Sequence, residues 1–153
     1  MTNQGIILGL MIAHHGLIEM YLSLAKDALK MTVNDALSAF DKFKWQLEKH
    51  FFVEEKIIFA AYQSRDEKIL YLIEKINAEH KTIKQIINLM RDKIAAGQNT
   101  DLAPLEDLLN SHRSLEEKEL YPLLDATFST PQKEDIVLKI NDIVLEKTIR
   151  SSS

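Results

Sequence analysis

Apolar residues recur every three or four positions through most of the chain, and short polar breaks separate the repeating segments. This period is typical of amphipathic helices. The pattern therefore predicts an all-α protein with five helices, over about 5–30, 34–62, 65–96, 101–127 and 131–149.

The breaks between these segments carry residues typical of helix ends. Ser64 followed by Glu67 predicts a capping box, Gly97 suits a helix C-terminus, and Thr130 before Pro131 suits a helix start. Connections this short favour antiparallel neighbours. We therefore expect a single domain over 1–150: an antiparallel up-down-up-down four-helix bundle over about 5–127, with an additional C-terminal helix over about 131–149.

Polar residues interrupt the apolar stripe of each of the first four predicted helices near its middle. The stripes are Leu8, Met11, His15, Ile18, Leu22; Phe43, Leu47, His50, Glu54, Ile57; Ile73, Ile76, His80, Ile83, Ile87; and Leu105, Leu108, His112, Glu116, Leu120. Stripes of this period form the inward seam of a helical bundle. The sequence therefore predicts that these histidines and glutamates point into the core.

The chain also repeats itself. The segment 13–18 aligns with 78–83, and the segment 50–56 aligns with 112–118, so that His15 matches His80 and His50 matches His112. A repeat of this kind predicts an approximate two-fold axis relating two helix pairs. Both halves then contribute the same residue types to one symmetric centre.

This combination predicts a metal centre. A His and a Glu four residues apart lie on one helical face, and the chain has two such pairs. Carboxylates buried without partners are costly, and a pair of metal ions removes that cost. We expect six metal ligands: His15, His50, Glu54, His80, His112 and Glu116.

Ligand counting favours iron. Two bridging carboxylates and two histidines supply each of two ions with four protein ligands. An oxo or hydroxo bridge adds a fifth, and an octahedral ion keeps one position open. Nitrogen and oxygen ligands with an open position suit non-haem iron, although manganese or zinc fits the same atoms. The expected cofactor is therefore two iron ions in a non-haem di-iron centre.

Three neighbouring residues leave alternatives open. His14 lies on a second apolar stripe beside His15, and only the repeat favours His15 as the ligand. Glu55 and Glu117 follow the paired histidines by five residues and become ligands if the helix bends. A single His–Glu pair of this spacing is common on exposed helix surfaces, so the prediction depends on the whole set.

Composition excludes several other functions. The chain has no cysteine, which excludes disulfides, thiolate zinc sites and iron–sulfur clusters. Its net charge is -4, without the basic face that nucleic acid requires. The apolar run over 5–13 is short and follows no Lys or Arg, so we expect a bundle helix instead of a signal peptide or membrane span. We expect a soluble, cytoplasmic protein with no membrane partner.

The ordered motifs resemble the hemerythrin-like, or HHE cation-binding, family. The resemblance covers about residues 8–127 and ends in Leu120-Tyr121-Pro122-Leu123. It implies a non-haem di-iron centre that binds dioxygen, nitric oxide or peroxide. Oxygen-carrying hemerythrins have a second histidine where this chain has Lys84, and a His-x-x-x-x-Asp on the fourth helix. The chain is closer to the hemerythrin-like branch with paired HxxxE motifs.

Three functions follow as hypotheses. The leading one is a di-iron protein that binds dioxygen or another small diatomic such as NO, for oxygen binding, storage or sensing. The alternative is a di-iron enzyme acting on nitric oxide, peroxide or ferrous iron, in stress defence or iron-centre repair. The third is an interaction protein. We expect the fifth helix to pack on the bundle through Ile136, Val137, Ile140, Ile143 and Val144; if it does not, this face and the apolar surface of the first helix would form a homodimer.

Overall fold

In the computed structural model the backbone is described over residues 5–152 and the side chains over 5–143; within this part of the chain all regular structure is helical. The five predicted helices are present. They are α1 (Ile6–Ala28), α2 (33–61), α3 (Glu67–Ala95), α4 (103–127) and α5 (Thr130–Ser152). Two of them contain a wider π-helical turn: Val33–Val53 continues through Glu54–Ile58 into Phe59–Ala61, and Ala103–Leu115 continues through Glu116–Leu120 into Tyr121–Thr127. The all-α prediction is confirmed.

Two of the predicted helix starts are wrong by one or two residues. Asp66, and not Ser64, accepts the backbone N–H groups of the first turn of α3. At α5 the cap is Ser129, whose hydroxyl accepts from Gln132 N while the Gln132 side chain accepts from Ser129 N at 2.8 Å. Sequence spacing allowed several candidate caps, and the path of the incoming chain decides which side chain reaches the free N–H groups.

Gly97 ends α3 as predicted. Its φ of 72° lies in the left-handed region, where a side chain would be strained. This turn lets Gly97 N donate to Ile94 O at 3.0 Å and Gln98 N donate to Lys93 O at 2.9 Å. Both bonds satisfy carbonyl groups that the helix end leaves free, which is the Schellman arrangement.

The buried apolar residues form two clusters, and the polar residues of the stripes lie between them. Along α2, Leu47 belongs to one cluster and Ile57 to the other. Along α3, Ile76 and Ile83 are divided in the same way, with His80 between them. The helices thus bury a polar layer between two apolar layers. The predicted inward direction of the stripes is confirmed.

The fifth helix packs on the bundle. Ile136 and Ile140 are 1% and 2% exposed and belong to the cluster that includes Ile7 and Leu124. Ile143 packs against the same cluster. The predicted face of α5 is therefore used inside the chain, while the side chain of Val144 lies outside the described residues.

The first helix keeps an apolar surface. Ile12, Leu17, Met20 and Leu24 are between 38% and 51% exposed. By length and hydropathy alone, Ile6–Ala28 would qualify as a single membrane span. The same helix buries His15 and contacts α2 and α4, as a core helix of a bundle does. The homodimer and the cytoplasmic location stay predictions.

A buried carboxylate joins three helices at one end of the bundle. Asp125 of α4 is 8% exposed and accepts hydrogen bonds from Ile7 N and Leu8 N, each at 2.9 Å. It therefore caps the start of α1 from 118 residues away. Lys133 of α5 lies 3.4 Å from the same carboxylate. A negative charge is stabilised at this position because the free N–H groups of a helix start are partly positive.

The Asp125→Ala variant should lose stability, because it removes the acceptor of two buried N–H groups and the carboxylate beside Lys133. We expect a loss of about 3 kcal/mol in the free energy of unfolding, measured by urea titration. Asp142→Ala on exposed α5 surface is the matched control and should change it by less than about 0.5 kcal/mol. Equal effects of the two variants would contradict the capping role.

Candidate metal centre

The six predicted ligands meet in the polar layer of the bundle. His15 comes from α1, the first His–Glu pair from α2, His80 from α3 and the second pair from α4. All six are buried, with exposed fractions between 0% and 6%. Residues up to 101 positions apart in the chain are in direct contact here. The fold therefore brings together every residue that the pattern selected.

Each buried glutamate lies between histidines of the two halves of the repeat. Glu54 Oε1 is 3.1 Å from His80 Nε2 and 3.3 Å from His50 Nε2. Glu116 Oε1 is 3.2 Å from His15 Nε2 and 3.5 Å from His112 Nε2. The Nε2 atoms of all four rings thus point at the carboxylates. At each glutamate, one carboxylate oxygen therefore lies close to the inner nitrogens of two rings.

Two overlapping groups could each hold a metal ion. Glu54, His80, His112 and Glu116 form one group, and His15, His50 and Glu116 form the other. Within each group the candidate ligand atoms lie within 4.8 Å of one another. We call them the His80–His112 position and the His15–His50 position. The two positions share the carboxylate of Glu116.

Three of the four rings are held from behind by a carboxylate. Nδ1 of His15 donates to Glu117 Oε2 at 2.6 Å, and Nδ1 of His80 donates to Glu55 Oε2 at 2.7 Å. Nδ1 of His112 donates to Glu79 Oε1, on α3, at 2.6 Å. A carboxylate can only accept, so Nδ1 carries the hydrogen and the Nε2 lone pair is directed inward.

Glu55 and Glu117 lie outside the candidate centre. Neither carboxylate faces the centre; each contacts the outer nitrogen of a ring on another helix. The π-helical turns Glu54–Ile58 and Glu116–Leu120 begin at the buried glutamates, and a wider turn changes the direction of the residue that follows. At each of these turns, the first glutamate faces the centre and the next one contacts the outer nitrogen of a histidine.

Three further residues were not assigned a role from the sequence. Glu79 accepts the third Nδ1–H, from His112. Its position directly before the predicted ligand His80 is the sequence feature that could have indicated this role. Tyr121 is fully buried and its hydroxyl donates a short hydrogen bond to Glu54 Oε2. Phe51 stacks on His80 with ring centroids 3.8 Å apart. The last two contacts need tertiary structure, because aromatic residues on a helical stripe usually serve only as core.

The protonation of the metal-free centre is divided between its two carboxyl groups. Burial and the neighbouring carboxylate Glu54 raise the pKa of Glu116 well above its ordinary value. The surrounding imidazoles and the hydrogen bond from Glu116 outweigh burial and lower the pKa of Glu54. Burial lowers the pKa of His50 to about 3. In the metal-free centre Glu116 therefore holds a proton more readily than Glu54, and His50 is neutral at pH 7.

Several buried atoms of the centre have no hydrogen-bond partner in the described protein. They are Glu54 Oε1, His80 Nε2, His112 Nε2 and Glu116 Oε2. Buried polar atoms without partners are costly and call for an explanation. All four are imidazole nitrogen or carboxylate oxygen atoms, which are the ligands of non-haem iron and zinc. The residues present therefore fit a metal ion, and hydrogen bonding inside the protein does not replace it.

A cavity leads to the centre between α1, α2 and α4. Its volume is about 360 Å³, and its inner end is lined by His15, His50 and His112. Its walls combine charged and polar residues, such as Glu19 and Arg113, with five apolar ones: Ile18, Leu22, Leu47, Phe51 and Leu109. At the surface, Lys26 and Glu106 form an ion pair at 3.0 Å across the lining. A small molecule can therefore approach the His15–His50 position without crossing the packed core.

The helices and their buried layer of His and Glu residues define a helical protein with a candidate metal centre. Comparison with known protein families agrees with this class. Residues 7–124 match the model of the hemerythrin HHE cation binding domain. Because the match covers most of the chain, the protein belongs to this family of cation-binding domains, and the resemblance found from the motifs is confirmed. No curated protein and no solved structure gives a significant match to the chain.

The metal-free protein should lose stability as the pH falls from about 7 to about 5. Burial lowers the pKa values of His14, His50 and His112 in the folded state. The unfolded chain then binds more protons than the folded one below pH 6.5, which favours unfolding. Glu116 acts in the opposite direction, since its raised pKa favours the folded state as the pH falls, but the three histidines outnumber it.

Urea unfolding of the metal-free protein at the two pH values measures this difference. Glu116→Gln removes the opposing contribution and should make the loss of stability larger. Equal stability at both pH values, or a smaller loss in the variant, would show that these groups do not titrate as described.

Proposed function

We propose that this protein is a non-haem di-iron protein that binds dioxygen or a similar small diatomic such as nitric oxide. The observation that carries the proposal is the pair of buried, overlapping ligand groups, which share Glu116. One ion would be held at each position by two histidines and carboxylate oxygen. Both positions would use atoms that the fold already directs inward.

Iron is the metal that best suits both the ligands and a diatomic ligand. The described donor atoms are nitrogen and oxygen, and each proposed position offers two histidines and carboxylate oxygen. Bound iron would supply redox activity and an open coordination position. The protein would keep the rings in place through the outer carboxylates of Glu55, Glu79 and Glu117.

The protein's own side chains would control access to this centre. Five apolar side chains line part of the cavity beside His15 and His50, and an uncharged diatomic can pass them without the desolvation cost that an ion would meet. The buried hydroxyl of Tyr121 holds one oxygen of Glu54, and burial and the carboxylates keep its pKa well above 10.0. This hydroxyl therefore stays a hydrogen-bond donor to the carboxylate at neutral pH.

We propose that the first four helices run antiparallel in an up-down-up-down bundle. Each contacts the next along the chain, and α4 contacts α1, which closes a ring of neighbours. The connections over 29–32, 62–66 and 96–102 are short. Neighbouring helices joined by short connections run in opposite directions.

Anaerobic addition of ferrous iron to the metal-free protein tests the function. We expect about two iron ions per chain to remain after desalting, because two buried ligand groups are present. Exposure to oxygen or nitric oxide should then change the optical spectrum. The matched control is Glu48→Gln, a partly buried glutamate of α2 that pairs with Lys44 away from the centre, which should retain the same iron. Glu54→Gln should lose it.

No retained iron, together with an unchanged spectrum, would contradict the proposal. Steady-state assays with peroxide, nitric oxide and ferrous iron distinguish a binding protein from the alternative, an enzyme. Rapid turnover would favour the enzyme, and stoichiometric binding without turnover would favour the binding protein.

Leu109→Trp should slow the association of the diatomic without changing the iron content. Leu109 lines the cavity and is not one of the proposed ligands, so the larger side chain should fill part of the cavity and leave the ligand set complete. Stopped-flow absorbance gives the rate, which we expect to fall at least severalfold. Leu138→Trp, on exposed α5 surface, is the control. An unchanged rate in Leu109→Trp would show that the ligand enters by another path.

A further inference from the structure

The repeat predicts matched surroundings for the two metal positions, and the structure departs from this match at one pair of residues. One histidine of each half keeps its matched partner: Glu117 accepts a hydrogen bond from His15, and Glu55 accepts one from His80. These two carboxylates are equivalent in the repeat. Both imidazoles therefore have the same kind of partner behind them.

The other two rings differ. His112 Nδ1 donates to Glu79 at 2.6 Å, whereas His50 Nδ1 lies 3.4 Å from Nδ1 of His14. His14 and Glu79 are equivalent in the repeat, since each directly precedes a predicted ligand. A neutral imidazole thus occupies the place where the other half has a carboxylate.

This difference changes the strength of the inner nitrogen as a ligand. If Nε2 of His50 binds a metal ion, its Nδ1 carries the hydrogen, and His14 would then accept through a neutral nitrogen. A carboxylate at 2.6 Å is a stronger acceptor than an imidazole at 3.4 Å, and it increases the basicity of the ring that donates to it. His50 is therefore the least supported of the four rings.

We propose that the two metal positions are unequal, that the His80–His112 position fills first, and that His14 is the positioning residue that keeps the His15–His50 position weaker. The first position has two carboxylate-supported rings and the second has one. The inference rests on the proposed dinuclear centre. The weaker position is also the one whose two histidines line the cavity.

Stepwise addition of Zn²⁺ to the metal-free protein tests the order of filling. Zinc is diamagnetic, so the ring C–H signals of all five histidines can be followed by NMR. We expect the first equivalent to shift the signals of His80 and His112, and the second to shift those of His15 and His50. Repulsion between two ions could separate two affinities even in a symmetric site, but the first ion would then shift both sets of signals equally.

Exchanging the unequal residues tests the role of His14. In His14→Glu, competition with a chelator should show the affinity of the His15–His50 position rising about tenfold, and the order of filling should become less distinct. Glu79→His should weaken the His80–His112 position to a similar extent. Ala13→Glu adds the same charge at the exposed neighbouring position and should leave both the order and the affinities nearly unchanged.

The outcomes separate this inference from the proposed function. If no zinc binds, the dinuclear centre fails and the inference fails with it. If two zinc ions bind but the first shifts all four signals equally, or shifts His15 and His50 first, the centre stands and the inequality is wrong. If the order is as expected but Ala13→Glu acts like His14→Glu, the position of the charge, and hence the role of His14, is wrong.

Discussion

Two carboxyl groups that share a small buried space are the constraint on which this structure depends. Glu54 and Glu116 are both fully buried, and each shifts the pKa of the other. Two such groups cannot both be charged in an apolar interior unless cations lie beside them. The inward nitrogens of four histidines and the oxygen atoms without partners are what a pair of cations would satisfy.

The apolar layers on either side of this centre position it. Each of the first four helices places its polar residues between two clusters of buried side chains, which keep the ligands in one buried layer. Asp125 joins the start of α1 to α4 and α5 at one end. The outer glutamates then fix the orientation of the rings. Packing and hydrogen bonding thus prepare the centre before any ion binds.

The repeat and the departures from it have different consequences. The His–Glu pairs and the π-helical turns recur in both halves, which creates two positions from one pattern. His14 in place of a carboxylate makes the surroundings of those positions different. The cavity reaches mainly the half that contains His14. Access and weaker support of the rings therefore coincide at the same half of the centre.

The sequence by itself determined the helices, the inward stripes and the six residues that converge, because the helical period and the internal repeat can both be recognised from the spacing of residues along the chain. It also located the Gly97 helix end. Only the tertiary structure decided that Glu55 and Glu117 hold rings from behind, that Asp125 caps α1, and that Ser129 caps α5. These contacts depend on the π-helical turns and on how helices distant in the chain approach one another, which spacing along a single helix does not specify.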